Sequence, residues 1–174
     1  MNAYGNRGDS WQLLLDTLHT RYNGSGRASV IPTPAPMKIL RAVKGKPGHF
    51  VCCFLPDAPP DYTAQADGFA FCFDAKDHAG DRWPLKDLPE HQARRFDAHQ
   101  RQGGVAFVLL RLSGTVYLLP WATLAERWHR WHRRVGRAAP GIASLSAEEC
   151  AEVGVRLKSA DWLPAALAIA RGPS

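Results

Sequence analysis

Pro60-Asp61, followed by Asp67-Gly68 and then Phe69-Ala70-Phe71-Cys72-Phe73-Asp74-Ala75-Lys76, is the stretch that decides how this chain is read. The Asp67-Gly68 dipeptide reads as a turn. The apolar-rich run from Phe69 to Phe73 reads as a buried strand. Side chains alternate along a strand, so Asp74 and Lys76 point to one face. The strand is expected to end with an acid and a base side by side. A second acid, Asp61, stands shortly before the turn.

Two carboxylates supply hard oxygen ligands for a divalent ion such as Mg2+. A lysine beside them can hold an attacking water or stabilise charge growing on a phosphate. The set suits metal-dependent phosphodiester hydrolysis. The same residues also allow a plainer reading: Asp61 as a solvated turn residue after Pro59-Pro60, and Asp74 with Lys76 as a surface ion pair. The rest of the chain has to decide between them.

At 174 residues the chain is long enough for one domain with a real core. A net charge of +6 favours a polyanionic partner. The basic residues cluster at Lys44 and Lys46, at Arg94, Arg95 and Arg101, and from Arg127 to Arg137. No apolar run is long enough to span a bilayer, and Met1 to Ser10 shows no signal peptide. A cytoplasmic protein without a membrane partner is expected. Cys52, Cys53, Cys72 and Cys150 show no C-x-x-C spacing, which argues against a zinc or redox motif. Cys52 and Cys72 are expected to be buried thiols.

Residues 1–9 read as a mobile N-terminal arm. Trp11, Leu14, Leu15, Leu18 and Tyr22 recur at helical spacing and predict an amphipathic helix over 10–22, capped by Asp9 or Ser10. Ala28 to Ile31 is a short strand candidate. Lys38 to Val43 and Phe50 to Leu55 predict a hairpin with the basic tip Lys44-Gly45-Lys46-Pro47-Gly48-His49, a projecting stalk over 38–55. A helix is expected from Leu88 or Pro89 to Arg101, with a wide polar face that includes Gln92. Val105 to Leu112 predicts a central strand, and Thr115 to Leu119 its hairpin neighbour. Trp121 to Val135 predicts a helix whose tryptophan face is core or dimer interface. Gly136 to Leu145 reads as a loop, Ser146 as a helix cap, and Asp161 to Ala170 as a last apolar helix.

The motifs taken in order are Asn6-Arg7-Gly8, Pro32-Thr33-Pro34, Asp61-Tyr62, Phe73-Asp74-Ala75-Lys76, Pro84-Leu85-Lys86 and Glu90-His91-Gln92. In type, order and spacing this set resembles the RecU-type Holliday junction resolvases, from Asn6 to about Leu119. The resemblance implies an α/β fold with a mixed central sheet flanked by helices. It would be a restriction-endonuclease-like nuclease core carrying a projecting β-hairpin stalk. It implies a symmetric homodimer that binds four-way DNA junctions and makes paired nicks with Mg2+, which Mn2+ could replace. By the same resemblance Asp61, Asp74 and the backbone carbonyl of Ala75 would hold the metal, with Gln12 as an outer-shell contact. Lys76 would orient water or steady the transition state, and Gln92 would help position water or phosphate. Arg7, Lys44, Lys46 and Lys86 would meet phosphates.

The chain departs from the family pattern at two places. Aspartate stands at Asp74 where the family usually has glutamate, so a metal would sit closer to the strand or be held less ideally. Gln12 stands where the first helix usually carries an acid, so it offers an oxygen without negative charge. Two other readings stay open at this point. One is a restriction or repair nuclease on the same fold, and the other is a non-catalytic protein that binds DNA junctions.

Overall fold

A computed structural model describes residues 5–133 and 143–172, with side chains from residue 10 onward. In chain order the elements are α1 (Gly5–Ser25), β1 (Ser29–Pro32), β2 (Met37–Ala42), β3 (Phe50–Phe54), β4 (Tyr62–Ala66), β5 (Phe69–His78) and β6 (Arg82–Pro84). A single 3-10 turn (Leu85–Asp87) leads to α2 (Glu90–Arg101), β7 (Val105–Leu112), β8 (Thr115–Pro120) and α3 (Trp121–His132). The chain closes with β9 (Ser144–Ser146), α4 (Ala147–Val153), β10 (Val155–Leu157) and α5 (Leu163–Arg171).

Two tight turns set the register of the main sheet. Asp67-Gly68 has φ of 49° and 80°, and Ser113-Gly114 has 46° and 82°. Positive φ at both central residues matches the right-handed twist of the flanking strands. The first turn pairs Ala66 with Phe69 and the second pairs Leu112 with Thr115. The six-stranded sheet has the order β1-β4-β5-β7-β8-β10. β5 and β7 run parallel, while the other neighbours are antiparallel. A parallel pair needs a crossover. Here β6, the 3-10 turn and α2 supply it. This is the mixed sheet flanked by helices that the resemblance implies.

Alternation along the strands builds one core on each face. Phe71, Phe73, Phe107 and Leu109 pack with Trp11, Leu15 and Tyr22 of α1 and Leu163 and Ala166 of α5. Cys72, Val108 and Leu110 pack with Ala93 and Phe96 of α2 and with Trp121, Leu124 and Trp128 of α3. The tryptophan face of α3 is therefore core; only Trp131 of that stripe is half-buried. Trp162 is fully enclosed, and its indole donates to His19 Nε2 at 3.1 Å. An indole nitrogen can only donate, so that histidine nitrogen is unprotonated. Burial pushes the His19 pKa down to about 4, against the opposing pull of Asp16.

The structure extends or revises several expectations. α1 begins at Gly5, inside the segment read as an arm, of which residues 1–4 lie outside the described residues. β5 runs on to His78, because Asp74 to His78 pair with Val108 to Leu112 of the apolar central strand. The polar composition after Phe73 hides this. Ser144 to Ser146, the end of the expected loop, pairs with Arg82 to Pro84. Ser146 caps α4 as expected, with Glu149 completing a capping box. Arg127 is bound to Glu149 and Arg130 to Glu126, so these cations serve the fold. Arg134, Val135 and Arg137 lie outside the described residues. Cys72 and Cys150 are buried, but Cys52 is exposed, because it lies on the hairpin rather than in the main sheet.

That hairpin is β2 with β3, and among the described residues neither strand pairs with the main sheet. Leu55 N–H donates to the Pro36 carbonyl at 2.9 Å and closes its base. The hairpin is inserted between β1 and β4, whose facing ends are Pro32 and Tyr62. It therefore leaves the sheet where Asp61 enters β4.

Trp162 touches the rings of His19, Tyr22, Phe71, Phe73 and Phe107. Replacing it with alanine is expected to cost about 3–5 kcal/mol. Urea denaturation should show a lower midpoint with an unchanged slope.

Candidate active site

Asp74 is 0% exposed. A carboxylate out of water needs donors, a counter-charge or a proton. Its Oδ1 accepts from Gln92 Nε2 at 2.8 Å and from the Asp61 N–H at 3.2 Å. Its Oδ2 lies 2.5 Å from Lys76 Nζ, yet no donor is aligned on that oxygen. Asp61 Oδ2 accepts the Ala75 N–H at 2.9 Å. Lys76 Nζ reaches Gln92 Oε1 at 3.5 Å.

Asp61, Asp74, Lys76 and Gln92 are thus one bonded group drawn from three parts of the chain. The β4–β5 register, with Tyr62 opposite Phe73, sets Asp61 against Asp74. Alternation places Lys76 on the face of Asp74. The crossover helix α2 lays Gln92, 6% exposed, over both. The surface ion pair is excluded by the burial of Asp74, and a plain surface glutamine by that of Gln92. Ala75 lies on β5 between the acid and the lysine, with its amide already committed to Asp61.

Burial pushes the Asp74 pKa up to about 7, with Lys76 pulling it down and Asp61 pushing it further up. Gln12 bonds elsewhere. Its Nε2 donates to the Tyr62 hydroxyl and, at 3.1 Å, to Asp16 Oδ1. The Tyr62 hydroxyl donates to the same Asp16 oxygen at 3.0 Å. Burial first, and then the Asp16 hydrogen bond, raise the Tyr62 pKa well above the usual phenol range. The sequence reading missed Asp16 and Tyr62. The available signal was that Gln12 and Asp16 lie one helical turn apart, on one face.

A divalent ion suits this group on one structural ground. Asp74 Oδ2 is buried, lacks an aligned donor and already faces a cation, the Lys76 ammonium. Among the described residues no cluster of three or more His, Cys, Asp or Glu could hold a metal. Mg2+ commonly takes one or two carboxylates and completes its shell with waters and substrate phosphate, so Asp61 and Asp74 suffice. Lys44 and Lys46 are exposed on the hairpin tip, and Lys86 is exposed in the 3-10 turn before α2. Arg7 lies in α1, and its side chain is outside the described residues. None of the three lysines bonds to the carboxylates among the described residues.

The model of the family described as recombination protein U, RecU, matches residues 6–160, which extends past Pro120. The Holliday junction resolvase RecU of Bacillus pumilus is 29% identical over 157 residues, covering 88% of this chain and 74% of its own. That of Limosilactobacillus fermentum is 26% identical over 175 residues, covering 94% and 80%. That of Staphylococcus saprophyticus is 30% identical over 133 residues, covering 73% and 64%. Among solved structures, Hjc, a Holliday junction resolvase of Archaeoglobus fulgidus, aligns over 81% of this chain and 91% of that one. Its TM-score is 0.45 and its identity 13%.

Folding makes Asp74 hold its proton more tightly than it does in the unfolded chain. Its contribution is thus most favourable at low pH and declines as pH rises from the ordinary carboxylate range towards about 7. Asp74→Asn removes that decline. In metal-free protein the variant should match the parent near about pH 4 and exceed it in stability by about pH 8. Urea titrations at each pH measure the gap.

Proposed function

The chain belongs to the recombination protein U family, RecU, and on that premise we propose that it is a structure-selective endonuclease. It resolves four-way Holliday DNA junctions by paired, Mg2+-dependent phosphodiester hydrolysis, on a restriction-endonuclease-like core. The observation that carries this reading is the buried Asp74, held between Gln92, the Asp61 amide and Lys76.

Asp61 and Asp74, with the Ala75 carbonyl, are the groups that hold the cation; Gln12 acts through Asp16 and Tyr62. When bound, Mg2+ or Mn2+ supplies Lewis acidity to the scissile phosphate and lowers the pKa of a bound water. Lys76 carries the mobile positive charge of the site, poised to orient the attacking water or to meet charge growing on the phosphate. Gln92 bonds to Asp74 and lies within reach of Lys76, so it keeps both in place as charge shifts. Lys44, Lys46, Lys86 and Arg7 meet the phosphates of the junction arms.

A four-way junction needs two cuts related by a two-fold axis, which a symmetric homodimer provides. Met37, Ile39, Leu40, Phe50 and Phe54 on the hairpin are all more than half exposed, an apolar surface suited to burial between two copies. No described helix is long and apolar enough to cross a membrane, and the proposed setting of this DNA work is the cytoplasm. The second reading is a non-catalytic junction binder. The observation in its favour is Gln12, whose amide nitrogen donates to Tyr62 and Asp16 and which adds no charge at the carboxylates.

Two measurements test the proposal. Incubating a synthetic four-way junction with the protein should give paired nicks with Mg2+ and none with EDTA. Lys76→Ala should cut roughly 100- to 1000-fold more slowly while keeping its junction affinity. Binding without nicks selects the non-catalytic reading. Cleavage of linear duplex with the junction left intact selects a restriction-type or repair nuclease. Sedimentation should show a dimer at micromolar concentration, and a monomer at all concentrations removes the basis for paired cuts.

A further inference from the structure

β5 continues past its catalytic residues. Asp74, Lys76 and His78 fall on alternate positions, so their side chains leave the same face of the sheet. Their parallel partners on β7 are Val108, Leu110 and Leu112, all three part of the core beneath α2 and α3. Exposure of the three side chains rises along the row, from 0% at Asp74 to 22% at Lys76 and 29% at His78. Along β5 the site therefore opens to solvent towards His78. By the rise of a strand, His78 stands about 7 Å beyond Lys76. That is close to the spacing of neighbouring phosphates on one DNA strand.

The surrounding residues present the His78 ring. Ser113, in the β7–β8 turn, donates its N–H to the His78 carbonyl at 2.9 Å and its hydroxyl to the Gly80 carbonyl at 2.8 Å. These bonds fix the backbone from His78 to Gly80. Asp87 of the 3-10 turn places Oδ2 3.8 Å from His78 Nδ1. The other ring nitrogen lies against Gly80, where a β-carbon would stand 2.9 Å from Nε2. Glycine at that position leaves the Nε2 edge uncovered. A protonated imidazole donates from both nitrogens. One N–H then meets Asp87, and the other is left for an anion.

We infer that His78 is a phosphate-binding residue of the active site, contacting through Nε2 the phosphate next to the scissile one. The strand being cut lies along the carboxyl end of β5, with the scissile phosphate at Asp61, Asp74 and Lys76 and its neighbour at His78. Asp87 orients the ring. Lys86, the exposed residue before it, offers a second cation to the same stretch of backbone. The inference rests on the nuclease reading and adds to it the register in which the cut strand is held.

The test neutralises phosphates one at a time. The parent's cut position on a synthetic four-way junction is first mapped with Mg2+. Junctions are then made with a single uncharged methylphosphonate in each cut strand, at the scissile phosphate, at either of its neighbours, or farther along. Affinity for each is measured by fluorescence anisotropy in EDTA. The parent should lose roughly tenfold when one neighbour of the scissile phosphate is neutralised. His78→Ala, a change at a part-exposed ring that leaves the fold intact, should bind the unmodified junction roughly tenfold more weakly. It should lose nothing further at that neighbour and keep the parental losses at every other position. A merely structural role would lower affinity without changing this profile. The inference is overturned if His78→Ala keeps the parental loss at both neighbours, if its losses shrink equally at all positions, or if the parent is indifferent to both neighbours. A parent that leaves the junction uncut overturns the nuclease reading, and the phosphate contact with it.

Discussion

The carboxyl group of Asp74, buried within a strand, is the constraint on which this structure depends. Isolated, the ionised side chain of Asp74 would be far too costly to keep out of water. The chain meets that cost from three directions at once. β4 must lie in the register that presents the Asp61 amide. α2 must cross the sheet where Gln92 reaches Oδ1. Lys76 must follow two residues later on the same strand face. A shift of one residue between β4 and β5 would turn Asp61 away from Asp74. The Asp67-Gly68 turn, with both residues at positive φ, holds that register. A buried ion pair is a weak source of stability. Here one oxygen of the pair, Asp74 Oδ2, is buried beside Lys76 without an aligned donor.

The rest of the molecule is distributed around the same end of the sheet. The hairpin leaves between Pro32 and Tyr62, beside Asp61. Ser10, near the start of α1, meets Arg111 at that end. The opposite end holds the β4–β5 turn and the start of β7. The aromatic cores lie between, on the two faces of the sheet, and carry the structural load. This separation leaves one end free to present charge, because the other elements do not depend on it for burial.

Much of this was legible in the sequence, where the signal was local. Asp67-Gly68 marked the turn, alternation paired Asp74 with Lys76, and the helical spacing from Trp121 marked α3. Ser146 was read as a helix cap, and it caps α4. Signals that depend on distant partners stayed hidden. The run from Asp74 to His78 looks polar, and only its ladder with Val108 to Leu112 makes it strand. β6, β9 and β10, each three residues long, are strands only through their neighbours. The burial of Asp74 was invisible for the same reason, since the residues that cover it lie 13 and 18 positions away. Gln12 was read as an outer-shell metal contact because it stands at the place of a missing acid. Its amide nitrogen donates to Tyr62 and Asp16, partners that spacing alone does not reveal.

The proposed function requires Asp74 to exchange a proton for a divalent cation. Calorimetric titration of Mn2+ into the metal-free protein at about pH 7, in two buffers of different ionisation enthalpy, measures this directly. The account predicts heats that differ between the buffers by the protons released on binding, and loss of that release in Asp74→Asn. Binding heats identical in both buffers, or a release that survives the substitution, would contradict it.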